Sequence, residues 1–242
     1  MKKRITSFLL GMLLILCMCG FVHASEASDQ AAAENQTRII SHVNPLYADL
    51  IDREELAQPN SYIMSLSEDP TYASSIEEAG AQLRAQMKGW SSQVNVYYQE
   101  AGSSSDVDWT IEAEIFEEAL RHTGKPTEGD YLRWHFAYYD VSIGYYNWNG
   151  VNYYSLTYLI SYYTTPEQED ALDTAVENIL SSLNLSSKTE VEKINAIYSW
   201  ICANVVYDNA NLNNSSYVLK YSAYAAAVNR TSVCQGYALL LY

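Results

Sequence analysis

Between residues 131 and 163 the chain carries two runs in which apolar and polar positions alternate, split by Asn147-Trp148-Asn149-Gly150. A period of two sends successive side chains to opposite faces of an extended backbone, so the segment predicts a β-hairpin. It holds ten of the 22 tyrosines. Tyrosine suits strands through packing and β-propensity, and the rings read first as packing residues. The alternative is a face of coplanar exposed rings that stacks on carbohydrate.

Flanking segments change period. From Ser74 to Lys88 and from Thr110 to His122 apolar residues recur at helical spacing, the second run stopped by Thr123-Gly124 with Pro126 beyond it. Between them Val94, Val96 and Tyr98 alternate with polar neighbours and predict a strand. After the hairpin, Thr165-Pro166-Glu167-Gln168 has the form of a capping box, followed by Leu172, Ala175, Val176, Ile179, Leu180 and Leu183 on one helical face. Ser187-Lys188-Thr189-Glu190 reads as a second capping box, opening a helix with Val191, Ile194, Ile197, Tyr198, Ile201 and Val205 on one stripe and an end near Tyr207-Asp208. Asn209 to Ser216 reads as a loop and Tyr217 to Val228 as a third helix. The fold class is therefore α+β: an N-terminal helix and strand region with a tyrosine-rich β-hairpin, then a helical segment.

The N-terminus has another character. Met1-Lys2-Lys3-Arg4 precedes an apolar run from Phe8 to Val22 and the small-residue pattern Val22-His23-Ala24, which predicts a secretory signal cleaved after residue 24. The run is shorter than the roughly 20 residues of a spanning helix, and no later stretch is long enough to cross a bilayer. Cys17 and Cys19 follow the bulky Leu16 and Met18, which argues against a lipid anchor. Removing Lys2, Lys3 and Arg4 leaves 11 of the 14 basic residues against 29 acids, moving the net charge from −15 to −18. Such a chain repels nucleic acid and anionic lipid. Residues 25 to 40 are too polar to pack and read as a flexible leader.

Two cysteines, Cys202 and Cys234, lie beyond that signal. Ser232-Val233-Cys234-Gln235 reads as a third capping box with Ser232 as cap, putting Cys234 in the first turn of a helix that continues through Leu241. Unpaired N–H groups and the positive end of the helix dipole there stabilise a thiolate, the reactive form. Gly236 permits a backbone or a substrate to approach the sulfur closely. Local features alone leave an inert buried thiol equally open for Cys234. Cys202, in mid-helix, reads as core, and a disulfide between the two is a further alternative that would silence the thiol. No Cys/His cluster has metal-ligand spacing and no glycine-rich phosphate loop occurs, so neither metal nor cofactor is expected.

The stretch Lys193-Ile194-Asn195-Ala196-Ile197-Tyr198-Ser199-Trp200-Ile201, continuing to Val205-Val206-Tyr207-Asp208, then Tyr224-Ala225 and Val233-Cys234-Gln235-Gly236-Tyr237-Ala238, resembles the opening of a transglutaminase-like domain. The motif is Cys-x-Gly-aromatic-Ala at a helix start, and the likeness covers roughly residues 170 to 242. It implies a papain-like fold with Cys234 as nucleophile, a histidine that shuttles the proton and an acid that orients the histidine. It also implies peptide or protein amides as substrate, cell-wall peptide among them, with hydrolysis or acyl transfer as the outcome.

In that family the histidine and aspartate follow the cysteine by several dozen residues, whereas eight residues follow Cys234 here. His23, His42, His122 and His135 all precede it and read as signal, structural or surface residues. Asp208 has the chemistry to support a base but no base to support. The expectation is an exported or cell-envelope thiol protein of which this chain is an inactive part. Its organisation would be a signal over 1–24, a leader over 25–40, an N-terminal α+β region over 41–165 and an incomplete transglutaminase-like domain over 166–242. The rival expectation is a cell-envelope binding or adaptor module built on the tyrosine-rich hairpin.

Overall fold

The computed structural model of the protein describes residues 36–44, 70–105 and 107–242. The signal expected over residues 1–24, with Cys17 and Cys19, lies outside them, as does most of the expected leader. The leader's last residues, 36 to 40, are not loose: they belong to strand β1 (Gln36–Val43), whose backbone pairs with the first hairpin strand. Polar side chains on an edge strand need no core of their own when the neighbouring strand supplies the ladder. That is the signal composition missed.

The α+β class holds. Helix α1 (Ile76–Met87), β2 (Gln93–Ala101), α2 (Ile111–Ala119), a short α3 (Asp130–Arg133), β3 (Phe136–Trp148) and β4 (Val151–Tyr162) follow in order. The four strands form an antiparallel sheet in the order β1-β3-β4-β2. The reversal between β3 and β4 falls on Asn149 and Gly150, with φ of 52° and 76°. Two central residues with positive φ make the tight hairpin turn whose twist matches the strands, and an asparagine-glycine pair adopts it at least cost.

One face of this sheet is sealed. Val94 and Val96 of β2, Val141 and Ile143 of β3, and Tyr154, Leu156 and Tyr158 of β4 lie in register, each at most 1 % exposed. Leu83 and Met87 of α1 and Ile115, Phe116 and Ala119 of α2 cover them. Six of the ten tyrosines between 131 and 163 are buried: Tyr131, Tyr139, Tyr145, Tyr154, Tyr158 and Tyr163. Buried hydroxyls among them are held by hydrogen bonds, Tyr158 on the Glu112 carbonyl at 2.8 Å and Tyr145 on Asn152 at 2.9 Å. Tyr131 is not in the hairpin, which begins at Phe136, but in α3.

The C-terminal half is helical, as its period predicts. Helix α4 (Pro166–Ser182) has the capping box of Thr165 and Gln168 with proline at its start. Helix α5 (Glu190–Asn204) is capped by Thr189 with Glu192, not by Ser187, because Ser187 closes a 3₁₀ turn (Leu185–Ser187). It stops at Asn204, since Val205 turns extended and Val206–Tyr207 becomes strand β5. The helix expected over residues 217–228 is in two pieces, a 3₁₀ turn (Val218–Tyr221) and α6 (Ala223–Ala227). Ser222 breaks it: extended, with a side chain that accepts from Ala225 N, it starts a new helix. Strand β6 (Thr231–Ser232) then pairs in parallel with β5, and α7 (Cys234–Leu241) follows. Among the described residues no helix is long and apolar enough to cross a membrane.

Candidate functional site

Cys234 is the first residue of α7 and is exposed, with a free thiol. Its placement in a first turn agrees with the sequence, but the cap does not. Val233, with φ −90° and ψ 176°, is the N-cap, and no side chain caps the helix. Ser232 is fully buried in β6, and its hydroxyl donates to the Lys220 carbonyl at 2.7 Å. The β5–β6 pairing forces this outcome: it turns Ser232 inward, where an unpaired hydroxyl would be costly. The opening turn of α7 is thereby left without a side-chain acceptor, and the first N–H groups of a helix have no carbonyl a turn earlier to bond. They and the positive end of the helix dipole can receive an anionic oxygen bound beside the Cys234 sulfur.

Gly236 is required by contact. A Cβ built there would lie 1.9 Å from Ser232 Oγ and 2.5 Å from the Ser222 carbonyl, so only glycine lets this turn pack against both. Tyr221 lies near the thiol; burial and, next, the charge of Cys234 push its phenol above the ordinary value. Tyr237, one turn along, donates to the Val205 carbonyl at 2.7 Å and joins α7 to the end of α5.

Cys202 departs from expectation. It is exposed and free, not core, and it forms no bridge with Cys234. Its position on α5 is beside the apolar stripe, and much of that stripe is uncovered: Val191, Ile194 and Tyr198 are 67, 58 and 57 % exposed. A residue flanking an open stripe is open as well.

Asp208 follows β5 and is buried, its carboxylate accepting from the Asn211 backbone N–H at 3.0 Å and from the Asn211 amide at 3.0 and 2.9 Å. It shapes the loop over residues 209–216. Lys220, also buried, grips the same loop: its ammonium donates to the carbonyls of Asn211, Leu212 and Asn214 at 2.6, 3.1 and 2.7 Å.

The three described histidines sit in or beside the N-terminal sheet unit. His42 bonds Glu112 at 2.8 Å and stacks on Tyr139. His122, largely exposed, lies 3.9 Å from Asp130. His135, immediately before β3, is fully buried with Nε2 2.7 Å from the Thr164 hydroxyl and 3.3 Å from Glu169. Thr164 donates to Glu169 at 2.6 Å, so its oxygen accepts from His135 and the protonated nitrogen is Nε2. Tyr131 donates to the same carboxylate at 2.8 Å. Burial raises the Glu169 pKa, but the bonds from His135, Thr164 and Tyr131 outweigh it and hold the carboxyl below its ordinary value. Among the described residues no hydrogen bond joins Cys234 to a histidine, and no group of three His, Cys, Asp or Glu side chains converges as metal ligands do.

Sequence reasoning missed the reach of Gln235. Expected to close a capping box, its amide instead donates to the Trp134 carbonyl at 2.6 Å, across 101 residues. No local pattern signals a bond of that span.

No family model matches the chain, and no curated protein does. A solved structure described as a TGase overlaps 60 % of this chain and 39 % of its own length, at 15 % identity and a TM-score of 0.27.

Proposed function

We propose that this chain bears the nucleophile of a transglutaminase-like thiol protein that acts on peptide amides outside the cytoplasm or in the cell envelope. One observation carries the reading: a free, exposed cysteine is the first residue of a helix whose N-terminus has no side-chain cap. The chemistry follows from that placement. A thiolate held by the helix end attacks an amide carbonyl, and the backbone N–H groups beside it receive the charge that develops on the carbonyl oxygen. The departing amine must take up a proton, and none of the described histidines is bonded to Cys234. Alkylation of Cys234 without amide turnover is therefore expected of this chain alone. The export part of the reading is supported by the positively charged and then apolar opening of the sequence.

The test compares two thiols on one molecule. Cys202 and Cys234 are both exposed, so differences in iodoacetamide rate between them report thiolate character and not access. Peptide mass spectrometry at pH 7 is expected to find Cys234 labelled about tenfold faster or more. Equal slow labelling would sink the reading.

A further inference from the structure

The first turn of α7 is pinned from several directions. Val233 N donates to the Lys220 carbonyl at 3.1 Å, Tyr237 bonds Val205, and Gly236 lies against Ser232 and Ser222. All of these partners lie in the C-terminal segment. Gln235 is different, because its amide reaches the N-terminal unit at Trp134.

Trp134 is the C-cap of α3, so its carbonyl has no further helical turn to bond. The next residue, His135, is locked into the buried cluster with Thr164, Glu169 and Tyr131, under the Trp90 ring at 4.7 Å. The acceptor that Gln235 grips is therefore on a rigid support. Side chains of successive helical residues are about 100° apart around the axis, so fixing the direction of one fixes that of its neighbour.

We propose that Gln235 is a positioning residue for Cys234: its clamp on Trp134 sets the roll of the first turn of α7 and holds the thiol over the open helix end. The N-terminal α+β unit is then part of the site and not a separate module. This rests on the thiol reading above.

The experiment uses the whole chain and the Gln235→Ala and Gln235→Glu variants. The Cys234 alkylation rate is followed from pH 5 to 10 by peptide mass spectrometry, with Cys202 as internal reference, and hydrogen exchange is measured at Gly236 and Tyr237. Both variants are expected to move the midpoint of the Cys234 rate profile to higher pH and to slow labelling at pH 7 about two- to tenfold, the range of one lost hydrogen bond. Gln235→Glu, with an acceptor facing a carbonyl, is expected to shift at least as far as Gln235→Ala. Cys202 is expected to stay constant, which separates the effect from unfolding. An unchanged Cys234 profile in both variants overturns the proposal. If Cys234 in the unaltered chain is no faster than Cys202, the thiol reading falls. The clamp is then judged by exchange alone: faster exchange at Gly236 and Tyr237 in the variants supports it, and unchanged exchange refutes it.

Discussion

The sheet unit and helix α5 were both readable from apolar periodicity, and they end in opposite states. In the sheet, alternate residues of β2, β3 and β4 are sealed under α1 and α2, with Leu156 at 1 % exposure and Tyr158 at 0 %. On α5 the stripe is just as regular, yet its first half faces outward, and only Ile201 with the adjoining Val205 is buried against α6. Periodicity states which face of an element is apolar. It does not state what covers that face, because coverage depends on residues far away in the chain.

The comparison is open to test, beginning with its largest effect. Leu156→Ala leaves a cavity in a sealed layer and is expected to cost about 3 to 5 kcal/mol, read as a lower denaturant midpoint. A loss under about 1 kcal/mol would show that the sheet packs as loosely as α5. Glu169→Gln removes the charge around which His135, Thr164 and Tyr131 are arranged, at an expected cost of about 2 to 3 kcal/mol. If chemical denaturation of that variant matches the parent within error, the joint between sheet unit and helices contributes little.

Acid provides the next test. The Lys88 ammonium, 2.7 Å away, draws Glu128 down to about 2 despite the burial that opposes it. Glu169 is also held below its ordinary value. A carboxyl with a depressed native pKa binds fewer protons folded than unfolded, so its contribution is complete above the unfolded value near 4.5 and fades as pH falls towards the native one. Stability should decline between about pH 4.5 and 2, and Glu128→Gln should flatten that decline by about 1 kcal/mol, the half-exposed Lys88 limiting the effect. Thermal midpoints across that interval decide it. The smallest effect is expected at Ile194→Ser on the open stripe, within about 0.5 kcal/mol. A loss of 2 kcal/mol there would mean the stripe is covered in solution.

How much was legible follows from the range of each interaction. Local signals held: the hairpin turn at Asn149-Gly150, the Thr165 cap with Gln168, and Cys234 in a first turn all depend on residues within a few positions of each other. Errors arose where a distant partner outbid a local one. Ser232 had the sequence of a cap, but the parallel pairing of β6 with β5 turned it inward. Gln235 likewise bonds a distant partner, the carbonyl of Trp134 at the end of α3, and leaves the capping position unused. Cys202 is exposed where the sequence predicts core, because helix period shows that a residue flanks an apolar stripe but not that the stripe is open. Residues 36–40 form a strand where composition predicts a leader, because an edge strand takes its order from a neighbour's backbone and not from its own side chains.

The register of β1 has a consequence for how the molecule assembles. Gln36 meets Tyr145 and Val43 meets Tyr138, so this early piece of chain finds its ladder only after everything between has been made. The β3–β4 pair closes through a two-residue reversal and loses little chain entropy, whereas docking β1 encloses a long loop. The hairpin should zip first and the outermost strand settle last. Pulsed deuterium labelling during refolding should accordingly protect the amides of Ser142 and Thr157, which face each other across β3 and β4, before those of Ile40 and His42, which face β3 from β1.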